Sequence, residues 1–580
     1  MGEKGRTMKI LGLHINTGQT AAALLIDGEI CYAAAEERFN RIKLSRAFPE
    51  KAIEFCISQA GLENIEDLDG IAVSWNPAEN MRHINLSGFT TWRRYDPEWV
   101  YIVPNNIMSR AGEKAFTGEV LKMELGLDSK CPIYFVEHHH AHLAHVICQS
   151  PFEKGLVAAV DEYGEFNSVT IAKFAGNSLE IVKQIPYPNS LGVFYAAFTE
   201  YLGYVPNYDE WKIMGASAYG DPLRFYDKLD SLISWDEENG EWILDTRYIE
   251  HSNMKRAGYL NERIQKFIGI PVRNPSDDLT QSHFDLAAAM QAVFEKRLFQ
   301  LLSYYAQQTG ETNLAASGGC FMNSLANGKI IHNTPFKKIF IPYAAADNGG
   351  AMGAALYTWY YVRKNNRKPA LETPSPFLGP EFLDSEIEST LQKYKLPYKK
   401  IENPAHYAAR QIADGKMVGW FQGKMEFGER ALGNRSILAD PRDEKTKDRI
   451  NSAVKYRESF RPFAPSILAE KVSEYFDIPE GVFVPYMEQV YPVKGEKREI
   501  IPAVVHADGT GRLQMVSRQI NPHFYDVLIE FEKITGIPVV LNTSFNVQGE
   551  PIVCSPSDAV RTFYSCGLDV LVMGNFVVEK

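Results

Sequence analysis

The sequence feature that most restricts the fold is a recurring order of elements: a short apolar segment, a turn that carries glycine or an acid, and then a helical pattern. Three of the apolar segments are residues 155–160, 313–317 and 538–541. The first runs into Asp161 and the second into Gly318-Gly319. Buried strands that alternate with helices form α/β sheets, and ligands gather at the carboxyl ends of such strands. The sequence therefore predicts an α/β protein with its chemistry at those turns.

The length of the chain requires more than one hydrophobic core. At about 100–200 residues per domain, 580 residues predict two to four domains. Four prolines fall between residues 366 and 380, which is the composition of a linker. We therefore predict two domains, residues 8–366 and residues 381–580, and treat the polar residues before Met8 as a leader or a vector remnant.

Composition excludes several classes of partner. The formal net charge of −11 argues against a broad nucleic-acid-binding surface but leaves room for a local basic pocket. No run of about 18 apolar residues occurs, and the chain start lacks an apolar signal core, so no membrane segment is expected. The seven cysteines form no CxxC pair, which favours reduced thiols in a cytoplasmic protein.

The first part of the chain predicts three strands and a helix. Residues 9–13 and 20–26 are apolar, and Asp27-Gly28 predicts a hairpin turn into a third strand. A helix is predicted from about Pro49 onward. Antiparallel strands followed by a helix resemble the opening of the actin and sugar-kinase type of ATPase fold, in which the first turn lies near the nucleotide phosphates.

Three other segments are predicted to shape a binding pocket. Residues 76–115 and 222–275 are rich in aromatic residues without clean periodicity, which is typical of functional loops or insertions. We expect an acceptor molecule to bind there, with Trp92, Tyr95 and Trp99 either stacking on it or belonging to the core. The glycine-punctuated residues 211–220 predict a loop near a ligand.

A cluster of five histidines lies between Glu137 and His145. In a helix, His138, His142 and His145 share one face, because residues three and four apart are neighbours. Neutral imidazole is a common ligand of transition metals. The cluster stands beside the apolar segment that ends at Asp161, so we predict a metal or catalytic site rather than a solvated helix end.

Two segments predict anion binding. Paired glycines at Gly318-Gly319 let backbone N–H groups approach an anion at a helix N-terminus, although a packing turn would have the same sequence. Ten basic side chains fall between residues 424 and 461, interspersed with glycine and apolar residues. Arg and Lys at that density suit phosphate and carboxylate groups, and a solvated basic face would not need the apolar residues.

Several motifs together resemble the NodU/CmcH family of O-carbamoyltransferases. The resemblance rests on the histidine cluster with Val160-Asp161 and on four further runs, residues 318–323, 428–442, 458–465 and 541–546. It covers about residues 8–578, and the run 428–442 is its most specific part.

The resemblance implies a fold for each domain and a two-step reaction. The N-terminal domain is expected to be actin-like, similar to the threonylcarbamoyl-transferring ATPase of tRNA modification, and the C-terminal domain to be a YrdC-like α/β domain. Carbamoyl phosphate and ATP, with Mg²⁺, would give a carbamoyl-adenylate in the second domain. The first domain, holding Fe(II) or another divalent metal, would pass the carbamoyl group to a hydroxyl of a small natural product or sugar. A homodimer is compatible with this reading.

The resemblance also assigns roles to residues. The metal ligands it implies are His138, His142, Asp161 and Asp347. Binding of carbamoyl phosphate or nucleotide is expected at Gly318, Gly319, Asn323, Asn348, Lys424, Arg430, Arg435, Lys455, Arg457, Arg461, Arg512, Ser544 and Asn546. The residues expected to be catalytic are His139, Lys455 and Arg461. His139 would either support the metal ligands or hydrogen-bond the transferring group.

Some points stay open at the level of sequence. Many relatives carry a His-Asp pair in the first turn, where this chain has Gly18-Gln19. His145 could replace or join the metal ligands. An actin-fold small-molecule kinase with an accessory domain would explain the hairpin and the Gly-Gly turns, but not the arginine run. A cysteine acyltransferase would use Cys320, whose thiol pKa a helix N-terminus would lower.

Overall fold

The computed structural model describes residues 7–15, 17–76, 131–250, 258–367, 370, 373–458 and 460–580. The chain forms two compact units. Unit 1 takes Met1–Glu36, Leu44–Met322 and Ile330–Glu372. Unit 2 takes Glu37–Lys43, Asn323–Lys329 and Thr373–Lys580. The main division falls within the proline-rich segment, and two short segments that precede it in sequence belong to unit 2.

The strands carry the architecture of both units. Those of unit 1 are β1 (Lys9–His14), β2 (Ala21–Ile26), β3 (Glu29–Ala35), β4 (Gly70–Val73), β5 (Ile133–Phe135), β6 (Lys154–Val160), β7 (Asn167–Ala175), β8 (Ser178–Pro186), β9 (Ile233–Asp236), β10 (Glu241–Leu244), β11 (Asn313–Ser317) and β12 (Lys338–Phe340). Those of unit 2 are β13 (Lys399–Lys400), β14 (Val418–Phe421), β15 (Arg435–Ala439), β16 (Ala464–Leu468), β17 (Gln489–Pro492), β18 (Thr510–Val516), β19 (Val539–Ser544), β20 (Val570–Met573) and β21 (Phe576–Glu579).

The helices, in chain order, alternate with these strands. They are α1 (Glu37–Asn40), α2 (Glu50–Gln59), α3 (His138–Gln149), α4 (Leu191–Tyr201), α5 (Glu210–Ala216), α6 (Tyr226–Asp230), α7 (Arg263–Ile268), α8 (Gln281–Thr309), α9 (Ser324–Asn333), α10 (Gly349–Tyr357), α11 (Asp384–Lys393), α12 (Pro404–Ala413), α13 (Lys445–Ile450), α14 (Val472–Tyr475), α15 (Gly495–Arg498), α16 (Pro522–Thr535) and α17 (Pro556–Ser565). None of the helices in the described ranges combines the length and apolar character that crossing a bilayer needs.

Unit 1 contains the same five-stranded sheet twice. The first sheet has the order β3-β2-β1-β4-β5 and the second, read in the same sense, β8-β7-β6-β11-β12. In each sheet the central strand pairs antiparallel with one strand of a hairpin and, on its other side, parallel with a later strand. That later strand pairs parallel with the edge strand. The predicted α/β class is confirmed, and the duplicated strand order agrees with the actin-like prediction for this part of the chain.

Two helices pack closely between the sheets of unit 1. Helix α3 lies against β6, β7 and β11, and α10 lies against β1, β2 and α3. A Cβ atom at Gly353 would lie 2.0 Å from the carbonyl oxygen of Ala141, and one at Gly12 would lie 1.9 Å from that of Ala351. Both glycines are therefore required by backbone approach, which brings the first residues of α3 and α10 to the carboxyl ends of the central strands.

Unit 2 is one nine-stranded mixed sheet with a hydrophobic core on each face. Its order is β13-β21-β20-β14-β15-β19-β16-β18-β17. Val418 and Trp420 pack into the core that α12 and α16 cover, whereas Phe421 packs into the core of α11 and α17. Successive side chains of a strand point to opposite faces, so this alternation places helices on both sides of the sheet.

Two short segments that precede the proline-rich segment, Glu37–Lys43 and Asn323–Lys329, are built into unit 2. Arg38 Nη2 donates to the carbonyl oxygen of Gly428 at 2.8 Å, and Arg41 donates to those of Pro551 and Ile552 at 2.8 and 2.7 Å. Asn327, in the other segment, donates through Nδ2 to the carbonyl oxygen of Glu488 at 2.9 Å. These contacts tie residues that are remote in sequence to the loops of unit 2.

The prediction that residues 211–220 form a loop is wrong. Residues 210–216 form α5, and Ser217–Tyr219 continue it as a 3₁₀ turn. The glycines reflect packing instead of a flexible loop, because a Cβ atom at Gly220 would lie 2.0 Å from the carbonyl oxygen of Phe284 on α8. The segment 222–275, predicted as irregular, contains α6, β9, β10 and α7. Trp92, Tyr95 and Trp99 lie outside the described residues.

Candidate metal centre and anion site

The helix that carries the histidine cluster begins at His138 because a buried acid caps it. Glu165 accepts hydrogen bonds from the backbone N–H of His138 at 2.9 and 3.0 Å, and from that of Asn76 at 2.7 Å. A carboxylate at this end satisfies a free N–H group and matches the positive end of the helix dipole. Burial raises the pKa of Glu165 to about 7, although the charge of His138 and the backbone hydrogen bonds favour the ionised form.

Two imidazoles and two carboxylates converge on one point in unit 1. The Nε2 atoms of His138 and His142 lie 3.2 Å apart, and Asp161 Oδ2 lies 3.4 and 3.2 Å from them. Asp347 Oδ1 lies 3.5 Å from His138 Nε2 and 3.7 Å from His142 Nε2. All four atoms lie within 4.8 Å of one another. The side chain of Asp347 is 29% exposed and the other three are nearly buried, so the group opens to solvent on its side.

The residues present fit a divalent metal ion. Ligand bonds of about 2.0–2.2 Å place opposite donors no more than about 4.4 Å apart, which is close to the observed spread. His138 Nδ1 donates to the carbonyl oxygen of Ser74 at 3.3 Å. Ser317 donates to the Ala345 carbonyl oxygen, so its hydroxyl oxygen accepts from His142 Nδ1 at 3.1 Å. These bonds fix both tautomers with the Nε2 lone pairs directed at the carboxylates, as metal ligation requires.

The two imidazoles and two carboxylates of this group stabilise one another in their charged forms. Burial opposes protonation of His138 and His142, but Asp347 and Asp161 outweigh it and raise the pKa of both imidazoles. Burial opposes ionisation of the two acids as well, yet the imidazoles lower the pKa of Asp161 and of Asp347. Without a metal the group is a network of paired charges, and a divalent cation would take the place of its protons.

The other three histidines of the cluster, His139, His140 and His145, lie outside the group of four possible metal ligands. His139 is buried, and its Nδ1 lies 2.9 Å from the hydroxyl of Thr170. Burial and the charge of His138 lower its pKa, so this imidazole is neutral. His145 is fully buried, burial lowers its pKa to about 3, and its ring nitrogens are outside the four-residue group. His140 stacks on Tyr357 at the outer side of α3.

The turn at Gly318-Gly319 packs against the backbone of Val160 and the side chain of Asp161, next to the metal-type centre. Gly318 has φ of 104°, and a Cβ atom there would lie 2.4 Å from the carbonyl oxygen of Val160. A Cβ atom at Gly319 would lie 2.8 Å from Asp161 Oδ1. The glycines therefore let the turn after β11 approach the turn after β6, and their predicted contact with a nucleotide stays a prediction.

Cys320 does not have the environment of a nucleophile. The thiol is buried in the 3₁₀ turn Gly319–Met322. Burial, followed by the charges of Asp161 and Glu162, raises its pKa well above the ordinary value. A reactive thiol needs the opposite shift. The prediction that a helix N-terminus lowers this pKa is wrong, since the residues that follow the glycines are not an α-helix.

The two asparagines predicted to contact nucleotide occupy helix starts. Asn323 Oδ1 accepts from the backbone N–H of Ala326 at 3.0 Å, at the start of α9, and Asn323 belongs to unit 2. Asn348 precedes α10 in unit 1, and its buried Oδ1 has no hydrogen-bond partner among the described residues. The two therefore belong to different units, and their binding roles stay predictions.

In unit 2, one buried acid organises the glycine- and arginine-rich loop. Glu426 Oε1 accepts from the backbone N–H groups of Leu432, Asn434 and Arg435 at 2.7, 3.0 and 3.2 Å. Three N–H groups on one oxygen close residues 426–435, which include Arg430, into a compact turn. No sequence motif pointed to this role of Glu426.

Arginines gather around β18 and the segment that precedes β16. Burial lowers the pKa of Arg512 well below its ordinary value, and the nearby charges of Arg430, Arg457 and Arg461 lower it further. Burial and Arg461 lower the pKa of Arg457 to about 8. We call Arg430, Lys455, Arg457, Arg461 and Arg512 the basic cluster. Like charges placed this close, with Glu429, Glu458 and Glu488 as nearby acids, match a multiply charged anion.

Lys455 joins the basic cluster to the Ser-x-Asn motif after β19. Its Nζ donates to the carbonyl oxygens of Ser544 and Asn546 at 2.5 and 2.9 Å, and to Asn546 Oδ1 at 2.8 Å. Burial, Arg457 and Arg461 lower its pKa, whereas the oxygens around Nζ favour the charged ammonium. Tyr456 follows with φ of 47°, and such strained backbone is common where ligands bind.

Two predicted anion ligands are placed differently from the basic cluster. Arg435 is fully buried, stacks on the ring of Phe421 at 3.6 Å and donates to four backbone carbonyl oxygens. The structure thus gives it a scaffold role in place of the predicted anion contact, because its terminal nitrogens are already engaged. Lys424 is exposed, and its carbonyl oxygen accepts from Asn434 Nδ2 at 2.7 Å.

Several residues at the metal-type centre carried no sequence signal. His14 ends β1, is fully buried and lies 3.8 Å from Asp347 Oδ2 through its Nε2. Burial lowers its pKa to about 4, although Asp347 raises it. Ser74, Ser317 and Glu165 orient the helix and its rings. The one signal available was position, since each follows or ends a strand at its carboxyl end.

The structure is an α/β fold with a candidate metal centre in unit 1 and a candidate anion site in unit 2. The family model for the carbamoyltransferase N-terminus matches residues 9–356, and that for the carbamoyltransferase C-terminus matches residues 409–580. The chain therefore belongs to the carbamoyltransferase family and is a carbamoyltransferase. The predicted NodU/CmcH resemblance is confirmed, and the kinase alternative is not favoured.

Individual relatives agree with this assignment. An uncharacterized protein of Synechocystis sp. is 37% identical over 98% of this chain and 96% of its own length. The nodulation protein NolNO of Sinorhizobium fredii is 37% identical over 97% of this chain and 78% of its own. NolO of Bradyrhizobium diazoefficiens is 39% identical over 77% of this chain and 79% of its own.

Solved structures are more distant. HypF of T. kodakarensis matches with a TM-score of 0.32 and 13% identity, over 62% of this chain and 48% of HypF. The ROK hexokinase of Thermus thermophilus matches with a TM-score of 0.28 and 12% identity, over 60% of this chain and 98% of the hexokinase. Both scores are too low to define the fold, which rests on the strand order.

Proposed function

We propose that the protein is an ATP-dependent O-carbamoyltransferase with two stations. Unit 2, as a YrdC-like domain, makes a carbamoyl-adenylate from carbamoyl phosphate and ATP, and unit 1 moves the carbamoyl group to a hydroxyl of a small molecule. The observation that carries the proposal is the two-histidine, two-aspartate group of unit 1, whose tautomers are set for metal ligation, in a chain that also holds the basic cluster.

The basic cluster supports the first step. Water cleaves carbamoyl phosphate to carbamate and phosphate, and a carbamate oxygen then attacks the α-phosphorus of ATP with release of pyrophosphate. Each stage concentrates negative charge, so fixed guanidinium groups stabilise it without reorganising. Arg457, Arg461 and Arg512 are proposed to hold the phosphates. Lys455, with Ser544 and Asn546, is proposed to hold the carbamate end.

The group in unit 1 supports the second step. His138, His142, Asp161 and Asp347 would hold a divalent ion, which we propose to be Fe(II) because imidazole and carboxylate donors suit it. When bound, the ion supplies Lewis-acid polarisation and neutralises anionic charge. His139, neutral and held by Thr170, is proposed to hydrogen-bond the transferring group. The acceptor oxygen attacks the carbamoyl carbon, its proton leaves, and AMP departs.

The experiment that tests the proposal is mass spectrometry of products. The protein is incubated with ATP, Mg²⁺, carbamoyl phosphate, Fe(II) and a panel of hydroxylated sugars and natural products. We expect one acceptor to gain a single carbamoyl group, with AMP, pyrophosphate and phosphate formed in step. Omission of carbamoyl phosphate is the control, and ATP turnover with acceptor phosphorylation in that control would contradict the proposal.

A further inference from the structure

His14 belongs to a chain of hydrogen bonds that runs from Ser74 through His14 and Thr17 to Asp347, a carboxylate of the metal-type centre. Its Nδ1 lies 2.8 Å from the hydroxyl of Ser74, which follows β4, and its Nε2 lies 2.5 Å from the hydroxyl of Thr17. Thr17 donates to Asp347 Oδ2 at 3.3 Å. His14 is fully buried, so these contacts account for both of its ring nitrogens.

The direction of this chain is set by its last member. The Thr17 hydroxyl faces two groups that only accept, Asp347 Oδ2 at 3.3 Å and the carbonyl oxygen of Gly18 at 3.2 Å. Its one proton is shared between them, so its oxygen accepts from His14 Nε2–H. His14 Nδ1 is then the acceptor for the Ser74 hydroxyl. The protons of Ser74 and His14 therefore point along the chain toward Thr17 and Asp347. The same Ser74 offers its carbonyl oxygen to His138 Nδ1 at 3.3 Å, so one residue orients both imidazoles.

The two carboxylate oxygens of Asp347 face different partners. Oδ1 faces His138 and His142 at 3.5 and 3.7 Å, whereas Oδ2 faces Thr17 and His14. Asp347 is the most exposed member of the four-residue group, at 29% of its side chain, and so the one with most freedom to turn. Hydrogen bonds to the second oxygen of a ligating carboxylate fix its orientation and raise metal affinity.

We propose that His14, acting through Thr17, is a positioning residue that holds Asp347 as a one-oxygen ligand of the metal centre. This inference rests on the metal centre of the proposed function. The role is distinct from ligation, since His14 Nε2 is engaged by Thr17 and the ligand group consists of His138, His142, Asp161 and Asp347.

The test is Co(II) binding to the full-length metal-free protein, followed by visible absorption and by competition with a chelator. We expect one ion per chain in the unsubstituted protein. His14→Ala is expected to lower the affinity about 10- to 100-fold and to change the absorption bands, with the stoichiometry kept. Thr17→Val is expected to act in the same direction, and the double variant to lose little more than His14→Ala, because the two residues act in series.

Control variants distinguish failure of the positioning role of His14 from failure of the proposed metal centre. His14→Gln, which can still hydrogen-bond Thr17, should recover part of the affinity, and His140→Ala, which removes a histidine on the outer side of α3, should leave it unchanged. Unchanged affinity and absorption in both His14→Ala and Thr17→Val would overturn the positioning role. Complete loss of binding in His14→Ala, equal to that in His142→Ala, would make His14 a ligand instead. No binding by the unsubstituted protein would overturn the metal centre itself.

Discussion

The two candidate sites are built on opposite electrostatic plans. In unit 1, imidazoles meet carboxylates, and each raises or lowers the pKa of the other toward its charged form. In unit 2, guanidinium groups meet one another, and burial together with like charge lowers the pKa of Arg457 and Arg512. The first site is balanced before any ligand arrives, whereas the second carries an excess of positive charge that an anion must neutralise.

This difference explains why each site suits a different partner. A balanced group can exchange protons for a metal ion at little electrostatic cost. A cluster of like charges stores repulsion that a phosphate or carboxylate relieves, which makes anion binding strong and oriented. The same contrast gives the order in which variants should damage the two steps.

The largest expected effect is the separation of the steps by loss of a metal ligand. In His138→Ala or Asp161→Ala, transfer to the acceptor should fall at least about 100-fold, because Lewis-acid stabilisation is worth several kcal/mol. Pyrophosphate release from ATP and carbamoyl phosphate should persist. The measurement is product formation and pyrophosphate release on the same sample, with His140→Ala as matched control. Equal loss of both activities would remove the distinction between the sites.

The converse substitution should stop both steps. In Lys455→Ala or Arg461→Ala, pyrophosphate release should fall about 100-fold, because charge stabilisation in the anion site is lost, and transfer should fall with it. Arg449→Ala, which removes a surface pair with Asp569, is the control. Full pyrophosphate release in both Lys455→Ala and Arg461→Ala would show that the basic cluster does not perform adenylation.

A smaller effect is expected from the acid that shapes the anion loop. Glu426→Ala leaves three buried N–H groups without an acceptor, which should cost roughly 2–4 kcal/mol of unfolding free energy and weaken anion binding. Glu426→Gln keeps an oxygen for these groups and should lose less. Urea unfolding of both variants, with ATP titration, measures the two consequences. Equal stability of Glu426→Ala and the unsubstituted protein would assign the loop geometry to other contacts.

The smallest effect concerns Glu488, a partly buried acid beside the basic cluster. Burial raises the pKa of Glu488 to about 8 from an ordinary value of 4.5. The folded protein therefore keeps a proton that the unfolded chain has lost, so this contribution to stability is full below pH 4.5 and disappears as pH rises to about 8. Glu488→Gln should lose less stability between pH 5 and pH 8, by about 1 kcal/mol or less, since the side chain is partly exposed. Parallel urea midpoints would contradict it.

Local patterns predicted much of the fold and the shared face of the histidines. His138 and His142 come together because they are four residues apart on a helix, and spacing alone shows that. Asp161 and Asp347 were implied by the resemblance, since no local rule joins residues 186 positions apart. His14 and Glu426 could not be predicted, because their roles depend on hydroxyl and backbone groups brought near by sheet pairing and loop closure. Gly220 misled the loop prediction for residues 211–220, because close packing against the backbone of Phe284 requires a glycine there.

The discontinuity of unit 2 has a consequence for how this enzyme can be divided or recombined. A fragment that begins after the proline-rich segment would lack Arg38, which holds the loop at Gly428, and Arg41, which holds the chain at Pro551. It would also lack Asn327, which donates to the carbonyl oxygen of Glu488 immediately before β17. The anion site is thus encoded in three separate stretches of the gene. Exchange of the part before the proline-rich segment for that of a relative would therefore also replace two segments of unit 2.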